Sequence, residues 1–160
     1  MRRKRELILS SRKDSIRTIE EFSERVSDEY FLNDSYFGNI ITCLTEAVTN
    51  AITHGNKLDK NKSVNVLLEE KKEGLLFTVT DHGEGYDYQQ YTGDINSESE
   101  GKGLYIIHHL ADEVHITNKG RVISMLFRIT GIEQKVAEER ARILRDYHRT
   151  TSRIASKNLD

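Results

Sequence analysis

Cysteine, proline and long apolar runs are scarce or missing in this sequence. Cys43 is the single cysteine, and the chain has no proline at all. One thiol excludes an internal disulfide framework, and no cysteine and histidine residues have the spacing of a zinc site. The chain also has no internal repeat and no low-complexity segment. These absences fit a compact protein in a reducing compartment, and we expect a cytoplasmic location.

Neither sign of charge dominates the chain. Its 24 Lys and Arg residues stand against 26 Asp and Glu residues, which gives a formal net charge of -2. This balance gives no argument for direct binding to nucleic acid or to an anionic membrane surface. Residues 2 to 5 are basic, but the apolar run of residues 7 to 9 is too short for a signal peptide or a membrane span. We interpret the basic cluster as a solvated arm.

The length and the hydrophobic content predict one domain with a tail. A chain of 160 residues with 36% hydrophobic residues can bury a single core. We place the domain at residues 1–131 and a charged C-terminal helix at residues 132–160. That helix could dock on its own domain, pair with a second subunit in a homodimer, or fray. Its thin apolar stripe consists of Ile132, Val136, Ile143, Tyr147 and Ile154.

Hydrophobic periodicity predicts an α+β fold in which helices cover one face of a mostly antiparallel sheet. Residues 86 to 100 have no usable periodicity and predict a long loop. We expect the second predicted helix, residues 36–54, to be capped by Asp34 or Ser35. The predicted strands are residues 5–10, 64–68, 75–80, 113–117 and 121–129, and the predicted helices are residues 15–30, 36–54 and 104–111.

The second predicted helix ends in the segment EAVTNAITHG, where Glu46 and Asn50 lie one turn apart on the same face. A solvated face with polar side chains would explain them. A wall facing a ligand would also explain them, with Glu46 as a proton acceptor and Asn50 as a neutral oxygen ligand for Mg²⁺. On a helical wheel the apolar side holds Ile40, Ile41, Leu44, Val48, Ala51 and Ile52. The other arc holds Cys43, Glu46, Asn50, Thr53 and His54.

Two glycine-containing segments follow farther along the chain. In DHGEG, Asp81 ends a strand before Gly83 and Gly85, which suits either a flexible exit turn or a pocket for a flat ligand such as adenine. In GKGL, the glycines and Lys102 open a helix, which suits either an N-terminal turn or an anion site. Neither segment has the spacing of a Walker P-loop or of a dinucleotide fingerprint.

The order and separation of the three segments are more specific than any one of them. EAVTNAITHG resembles the N box, DHGEG the G1 box and GKGL the G2 box of the GHKL ATPases, the histidine kinase-like superfamily. The resemblance covers about residues 7 to 130. Within that superfamily the compact size and the segment GKGLYIIHHLADEV are most similar to the anti-sigma regulatory factors, which are small serine/threonine protein kinases.

The resemblance implies a Bergerat fold, a two-layer α/β sandwich with a mixed, mostly antiparallel sheet, and the cofactors ATP and Mg²⁺. It implies that Asn50 binds Mg²⁺, that Glu46 is the catalytic general base, and that Asp81 contacts adenine. It matches His54 to a common family position, where we expect packing or hydrogen bonding near the site rather than catalysis, and it makes residues 86 to 100 an ATP lid. The remaining nucleotide-binding residues that it implies are Gly83, Gly85, Gly101, Lys102, Gly103 and Leu104.

The function implied by the resemblance is partner switching. Such a protein would sequester a sigma factor and phosphorylate a serine on a STAS-type anti-sigma-factor antagonist. Three alternatives stay open at this point. The chain could be an ATP-binding regulatory or adaptor module without kinase activity, a detached histidine-kinase catalytic domain, or a structural protein that oligomerises through its C-terminal helix.

Overall fold

A computed structural model of the chain describes residues 2–85, 102–129 and 134–157. The predicted loop of residues 86 to 100, together with Gly101 and Ile132, lies outside the described residues. The strands are β1 (Lys4–Ser10), β2 (Ser63–Glu70), β3 (Gly74–Thr80), β4 (Glu113–Thr117) and β5 (Val122–Arg128). The α-helices are α1 (Ser15–Tyr30), α2 (Asp34–Asn50), α3 (Lys102–Leu110) and α4 (Gln134–Lys157). A single π-helical turn, Ala51–Gly55, continues α2 and is called the π turn below.

The five described strands form one sheet in the order β1-β2-β3-β5-β4. Every pairing between these strands is antiparallel. The predicted α+β class is confirmed, and the mostly antiparallel sheet is antiparallel throughout its described strands. β3 lies at the centre of the sheet, so the segment that follows it leaves from the middle of one sheet edge.

Alternate residues of the central strands point into the core, as the period of a β-strand requires. On β2 the buried residues are Val64, Val66 and Leu68, and on β3 they are Leu75, Phe77 and Val79. Helices α1, α2 and α3 cover this buried face. The side chains of Thr78 and Ser124 lie on the other face, where their hydroxyls are 3.2 Å apart.

Asn33 caps α2, so the prediction of Asp34 or Ser35 as its cap was wrong. The Asn33 side chain accepts a hydrogen bond from the backbone N–H of Tyr36 at 2.9 Å. Asn33 has extended backbone angles, φ -73° and ψ 168°, which is the conformation that a capping residue adopts. Asp34 instead lies in the first turn, where its negative charge interacts favourably with the helix dipole.

Cys43 is fully buried, although the helical wheel placed it on the polar arc with Glu46. The wheel fails here because α2 contacts α1, α3 and α4 as well as β3, and is therefore covered on more than one side. Burial in this apolar setting raises the pKa of the Cys43 thiol, so the group is an inert part of the core. Conversely, Ile41 from the predicted apolar side is half-buried.

The C-terminal helix α4 docks on α2 and α3 of its own chain. Ile143 and Tyr147, one turn apart, are buried against the domain. Val136, which the predicted stripe included, is 38% exposed. Arg140 interrupts the apolar stripe, and its guanidinium forms an ion pair of 2.8 Å with Asp112, just after α3. No helix within the described ranges is long and apolar enough to cross a membrane.

Candidate functional site

The end of α2 carries two polar side chains on one face, just before the π turn. Glu46 and Asn50 are one turn apart on α2, and both are half-buried. The helix then widens, and the N–H of Asn56 donates to the carbonyl of Ala51 at 2.8 Å, a five-residue step. Single π turns of this kind are frequent at functional sites in helices. Here the turn carries the chain from Asn50 toward the end of β3.

Glu46 and Asn50 both approach the start of α3. A Cβ atom at Gly103 would lie 2.6 Å from Oε2 of Glu46 and 3.3 Å from Nδ2 of Asn50. The absence of a side chain at Gly103 therefore lets the two polar groups reach the first turn of that helix. The structure thus brings Glu46, Asn50 and Gly103 together.

Burial controls the charge of Glu46. Removal of water from around the carboxyl group raises its pKa from 4.5 to about 7, because the charged form loses hydration. The hydroxyl of Tyr147, on α4, donates a hydrogen bond to Oε1 of Glu46. The sequence alone does not predict this contact, because the two residues are 101 positions apart and the periodicity places Tyr147 only in an apolar stripe.

Asp81 lies at the end of β3 and is 3% exposed. Its Oδ1 accepts a hydrogen bond from the N–H of Gly83 at 2.9 Å, while its own N–H donates to the carbonyl of Arg121 at 2.9 Å. Desolvation raises the pKa of this carboxyl, and the Gly83 N–H and the charge of Arg121 partly oppose the shift. Asp81 is thus a buried, oriented acceptor.

Gly55 and Gly83 allow the π turn and the DHGEG segment to touch. A Cβ at Gly55 would lie 2.3 Å from Oδ2 of Asp81, and one at Gly83 would lie 2.0 Å from the carbonyl oxygen of Gly55. Gly85 has φ +89°, a conformation that only glycine adopts without strain. Gly55 was not among the predicted site residues, although it ends the EAVTNAITHG segment.

Asn56 is a second residue that sequence reasoning missed. It is 1% exposed, and its Nδ2 donates to Ser11 Oγ at 2.8 Å and to the Ser63 carbonyl at 2.9 Å. Its Oδ1 accepts the N–H of His82 at 2.9 Å. Asn56 therefore ties the segment after β3 to the end of β1 and the start of β2. An asparagine in a polar loop gives no sequence signal for such a role.

A buried cation stands at the start of α3. Lys102 is 8% exposed, and its Nζ has no hydrogen-bond partner among the described residues. An unpaired buried ammonium group is costly, so an anion is the natural partner for it. Leu104 is 2% exposed and belongs to the core, which places it beneath this turn rather than at its surface. The predicted contribution of Gly101 lies outside the described residues.

The candidate site therefore has two ends joined by the π turn. One end holds Glu46, Asn50, Lys102 and Gly103. The other holds Asp81 and its glycines, beside a cleft of about 290 Å³ that Gly55 and Asn56 border. Nowhere in residues 2–85, 102–129 and 134–157 do three His, Cys, Asp or Glu side chains cluster in a way that could hold a metal ion.

The chain is similar to known proteins. Residues 9–127 match the histidine kinase-like ATPase domain family. The serine-protein kinase RsbW of Bacillus subtilis (strain 168) is 32% identical over 99 residues, which cover 55% of this chain and 62% of that protein. The anti-sigma F factor of Anoxybacillus flavithermus is 30% identical over 100 residues, which cover 57% of this chain and 68% of that protein.

A solved structure has the same fold. The crystal structure of the RsbU and RsbW domains of a Mycobacterium tuberculosis protein superposes with a TM-score of 0.60 at 19% identity. The match covers 79% of this chain and 32% of that chain. The family match spans α1, α2, β2, β3, α3 and β4, together with most of β5. The chain belongs to the histidine kinase-like ATPase domain family, in the group that includes RsbW and the anti-sigma F factor.

Proposed function

We propose that this protein is an ATP-dependent protein-serine kinase of the anti-sigma-factor type that works in the cytoplasm. It binds a sigma factor and phosphorylates a serine on a STAS-type antagonist protein. The observation that carries this proposal is the convergence of Glu46 and Asn50 on Gly103, next to the buried amino group of Lys102, which has no hydrogen-bond partner among the described residues. The chain spans less than two thirds of the length of the B. subtilis kinase that it matches.

The residues present fit a magnesium nucleotide. Lys102 supplies a positive charge at the N-terminus of α3, with no hydrogen-bond partner in the part of the chain that the structure describes, and the helix dipole there also favours an anion. Asn50 supplies a neutral oxygen, a ligand type that Mg²⁺ accepts. Mg²⁺ commonly takes one or two protein ligands and completes its shell with phosphate oxygens and water, so a site whose described residues include no acidic cluster suits it.

The proposed roles follow from position. ATP, when bound, supplies the phosphoryl group, and Mg²⁺ neutralises charge on its phosphates. Asp81 accepts a hydrogen bond from the amino group of adenine, while Gly83 and Gly85 leave room for the flat ring. Lys102 and the N–H groups at the start of α3 hold the phosphates. Glu46 accepts the proton of the attacking serine hydroxyl.

The charge state of Glu46 suits a base at neutral pH. A general base works best when its pKa lies near the working pH, and burial brings the pKa of Glu46 to about 7. Most of the remaining catalysis is expected from positioning and electrostatics, as in other phosphoryl transfers.

Two substitutions separate binding from transfer. In Glu46→Gln the carboxylate is lost but the shape is kept, so phosphoserine formation should fall about 100-fold or more, with Mg-ATP affinity nearly unchanged.

In Asn50→Ala a proposed Mg²⁺ ligand is lost, so Mg-ATP affinity itself should fall at least about tenfold. Calorimetry with Mg-ATP and transfer of labelled phosphate to the antagonist encoded by a neighbouring gene measure the two effects.

Glu73→Gln is the matched control, because Glu73 is an exposed carboxylate at the β2–β3 hairpin, the opposite end of β3 from Asp81. Glu46→Gln with the parent's transfer rate contradicts the role of the base. Mg-ATP binding without any transfer identifies a nucleotide-sensing adaptor instead. An acid-labile phosphorylated product identifies a histidine kinase, because phosphoserine survives acid.

A further inference from the structure

Glu46 is held from two sides by parts of the chain that are far apart in sequence. Its Oε2 lies against the first turn of α3, where a Cβ at Gly103 would be only 2.6 Å away. Its Oε1 accepts the hydrogen bond from the Tyr147 hydroxyl on α4. The two oxygens of one carboxyl group therefore have separate tasks. One faces the proposed phosphate site, and the other is anchored to the C-terminal helix.

The anchor is itself well supported. The Tyr147 side chain is 7% exposed, and Ile143, one turn earlier, is 8% exposed. One further turn back, the ion pair between Arg140 and Asp112 fixes the same helix to the end of α3. A tyrosine ring has few rotatable bonds and is packed here, so its hydroxyl occupies a defined place. A free glutamate side chain, by contrast, would sample several rotamers.

We propose that Tyr147 is a positioning residue for Glu46: its hydroxyl fixes one carboxyl oxygen and thereby directs the other toward the acceptor serine. This inference rests on the proposed kinase function. It follows the general arrangement in which a third group orients the base that activates a nucleophile. It also assigns α4, outside the residues matched by the family, a part in the site.

The hydroxyl also bears on the charge of the base. A hydrogen bond donated to a carboxylate favours its charged form, and so opposes the desolvation that raises the pKa of Glu46. A cleft of about 300 Å³ borders Glu46 and is also lined by Glu20 of α1 and by His148 of α4. Charged groups on the neighbouring helices also include Lys102, at the start of α3, and Arg140 on α4, whose charge is neutralised by Asp112. Loss of the hydroxyl removes the hydrogen bond that favours the charged carboxylate, so it should raise the pKa of Glu46 further.

Tyr147→Phe in the full chain tests the proposal, because it removes the hydroxyl and keeps the ring. We expect kcat for phosphoserine formation to fall about tenfold, a fraction of the contribution of a general base, while the KM for ATP stays unchanged. The acidic limb of the pH profile of kcat should move to higher pH. A purely structural role of the ring would leave this limb in place.

Tyr30→Phe is the matched control, because Tyr30 also donates its hydroxyl to a glutamate, Glu70, at 3.4 Å and at a site remote from Glu46. Its kcat and pH profile should equal those of the parent. The proposal is overturned if Tyr147→Phe leaves both kcat and the acidic limb unchanged. It is equally overturned if kcat rises, since the hydroxyl would then obstruct the base.

A direct titration separates this proposal from the proposed function. Carbon-13 NMR of the Glu46 carboxyl, in the parent and in Tyr147→Phe, reports the pKa of Glu46 without any need for turnover. If the parent binds Mg-ATP but never forms phosphoserine, the kinase function fails. An upward shift of the pKa in Tyr147→Phe still supports the contact in that case, and an unshifted pKa overturns it.

Discussion

Gly103 stands where the two proposed site residues of α2 meet the start of α3. Contacts as short as the 2.6 Å between a Cβ at this position and Glu46 Oε2 do not persist, so Gly103→Ala must displace the carboxyl group. The Tyr147 hydroxyl restrains the other oxygen, which leaves little room for adjustment. We expect the transfer rate to fall about tenfold or more, because misplacement by a fraction of an ångström is costly in catalysis. Steady-state kinetics and Mg-ATP calorimetry measure the change, and affinity should fall less than rate.

Gly38→Ala provides the comparison for Gly103→Ala. Gly38 also lies in a helix, and its added Cβ would meet the end of the flexible Leu144 side chain at 3.2 Å. The variant should keep the parent's transfer rate, because Leu144 can shift by a few tenths of an ångström. An equal loss of activity in both variants would mean that crowding at Glu46 is not the cause.

At the scale of elements, α4 depends on a charged anchor as well as on its apolar side chains. Oδ1 of Asp112 pairs with Arg140 at 2.8 Å, and its Oδ2 accepts the N–H of Arg128 at 2.7 Å. The side chains of Arg140 and Asp112 are only 11% and 10% exposed. Asp112 therefore connects the end of α3, the end of β5 and the N-terminal part of α4.

Breaking this ion pair should cost more than an ordinary surface pair. Arg140→Met and Asp112→Asn should each lower the free energy of unfolding by about 2 kcal/mol, because each leaves a nearly buried partner unpaired. The double variant should lose less than the sum of the two. Urea unfolding of the four proteins gives the coupling, and additivity within about 0.5 kcal/mol would contradict the anchor.

An exposed pair on the same helix serves as the control for the anchor. Arg142 and Glu139 form an ion pair, and their side chains are 57% and 55% exposed. Solvent screens such a pair, so Arg142→Met should leave the free energy of unfolding almost unchanged. A similar loss in both places would show that removal of any arginine from α4 destabilises the protein.

For the molecule as a whole, the raised pKa of Glu46 links stability to pH. The carboxyl titrates near 4.5 in the unfolded chain and near 7 in the folded protein, so the folded state binds more protons between these values. The contribution of Glu46 to the free energy of unfolding should therefore fall as pH rises through this window, by up to about 3 kcal/mol. Burial likewise raises the pKa of Asp81, which adds a loss of the same sign.

Glu46→Gln removes the Glu46 contribution and retains that of Asp81. The free energy of unfolding of Glu46→Gln minus that of the parent should be about 2–3 kcal/mol larger at pH 8 than at pH 5. Urea unfolding of both proteins at the two pH values measures this difference. A difference that does not change with pH would mean that Glu46 titrates normally in the folded state.

Local patterns in the sequence determined the elements and much of the site. The α1 stripe, the alternation on β2 and β3, and the i, i+4 spacing of Glu46 and Asn50 depend only on the fixed periods of helix and strand. Short-range chemistry also placed Asp81 before its glycines and Lys102 at a helix start. These features were predictable because neighbours in sequence are neighbours in the element.

Only the tertiary structure decided which distant groups meet. Cys43 became core because three helices surround α2, and Asn56 became a junction because β1, β2 and the end of β3 converge on it. The Tyr147 contact with Glu46 joins positions 101 residues apart. Periodicity assigns Tyr147 to an apolar stripe, but it carries no information on where that stripe docks or on the partner of its hydroxyl. Packing of α4 against α2 and α3 supplies both, because burial of the ring leaves the hydroxyl in need of an acceptor and Glu46 is the acceptor it meets.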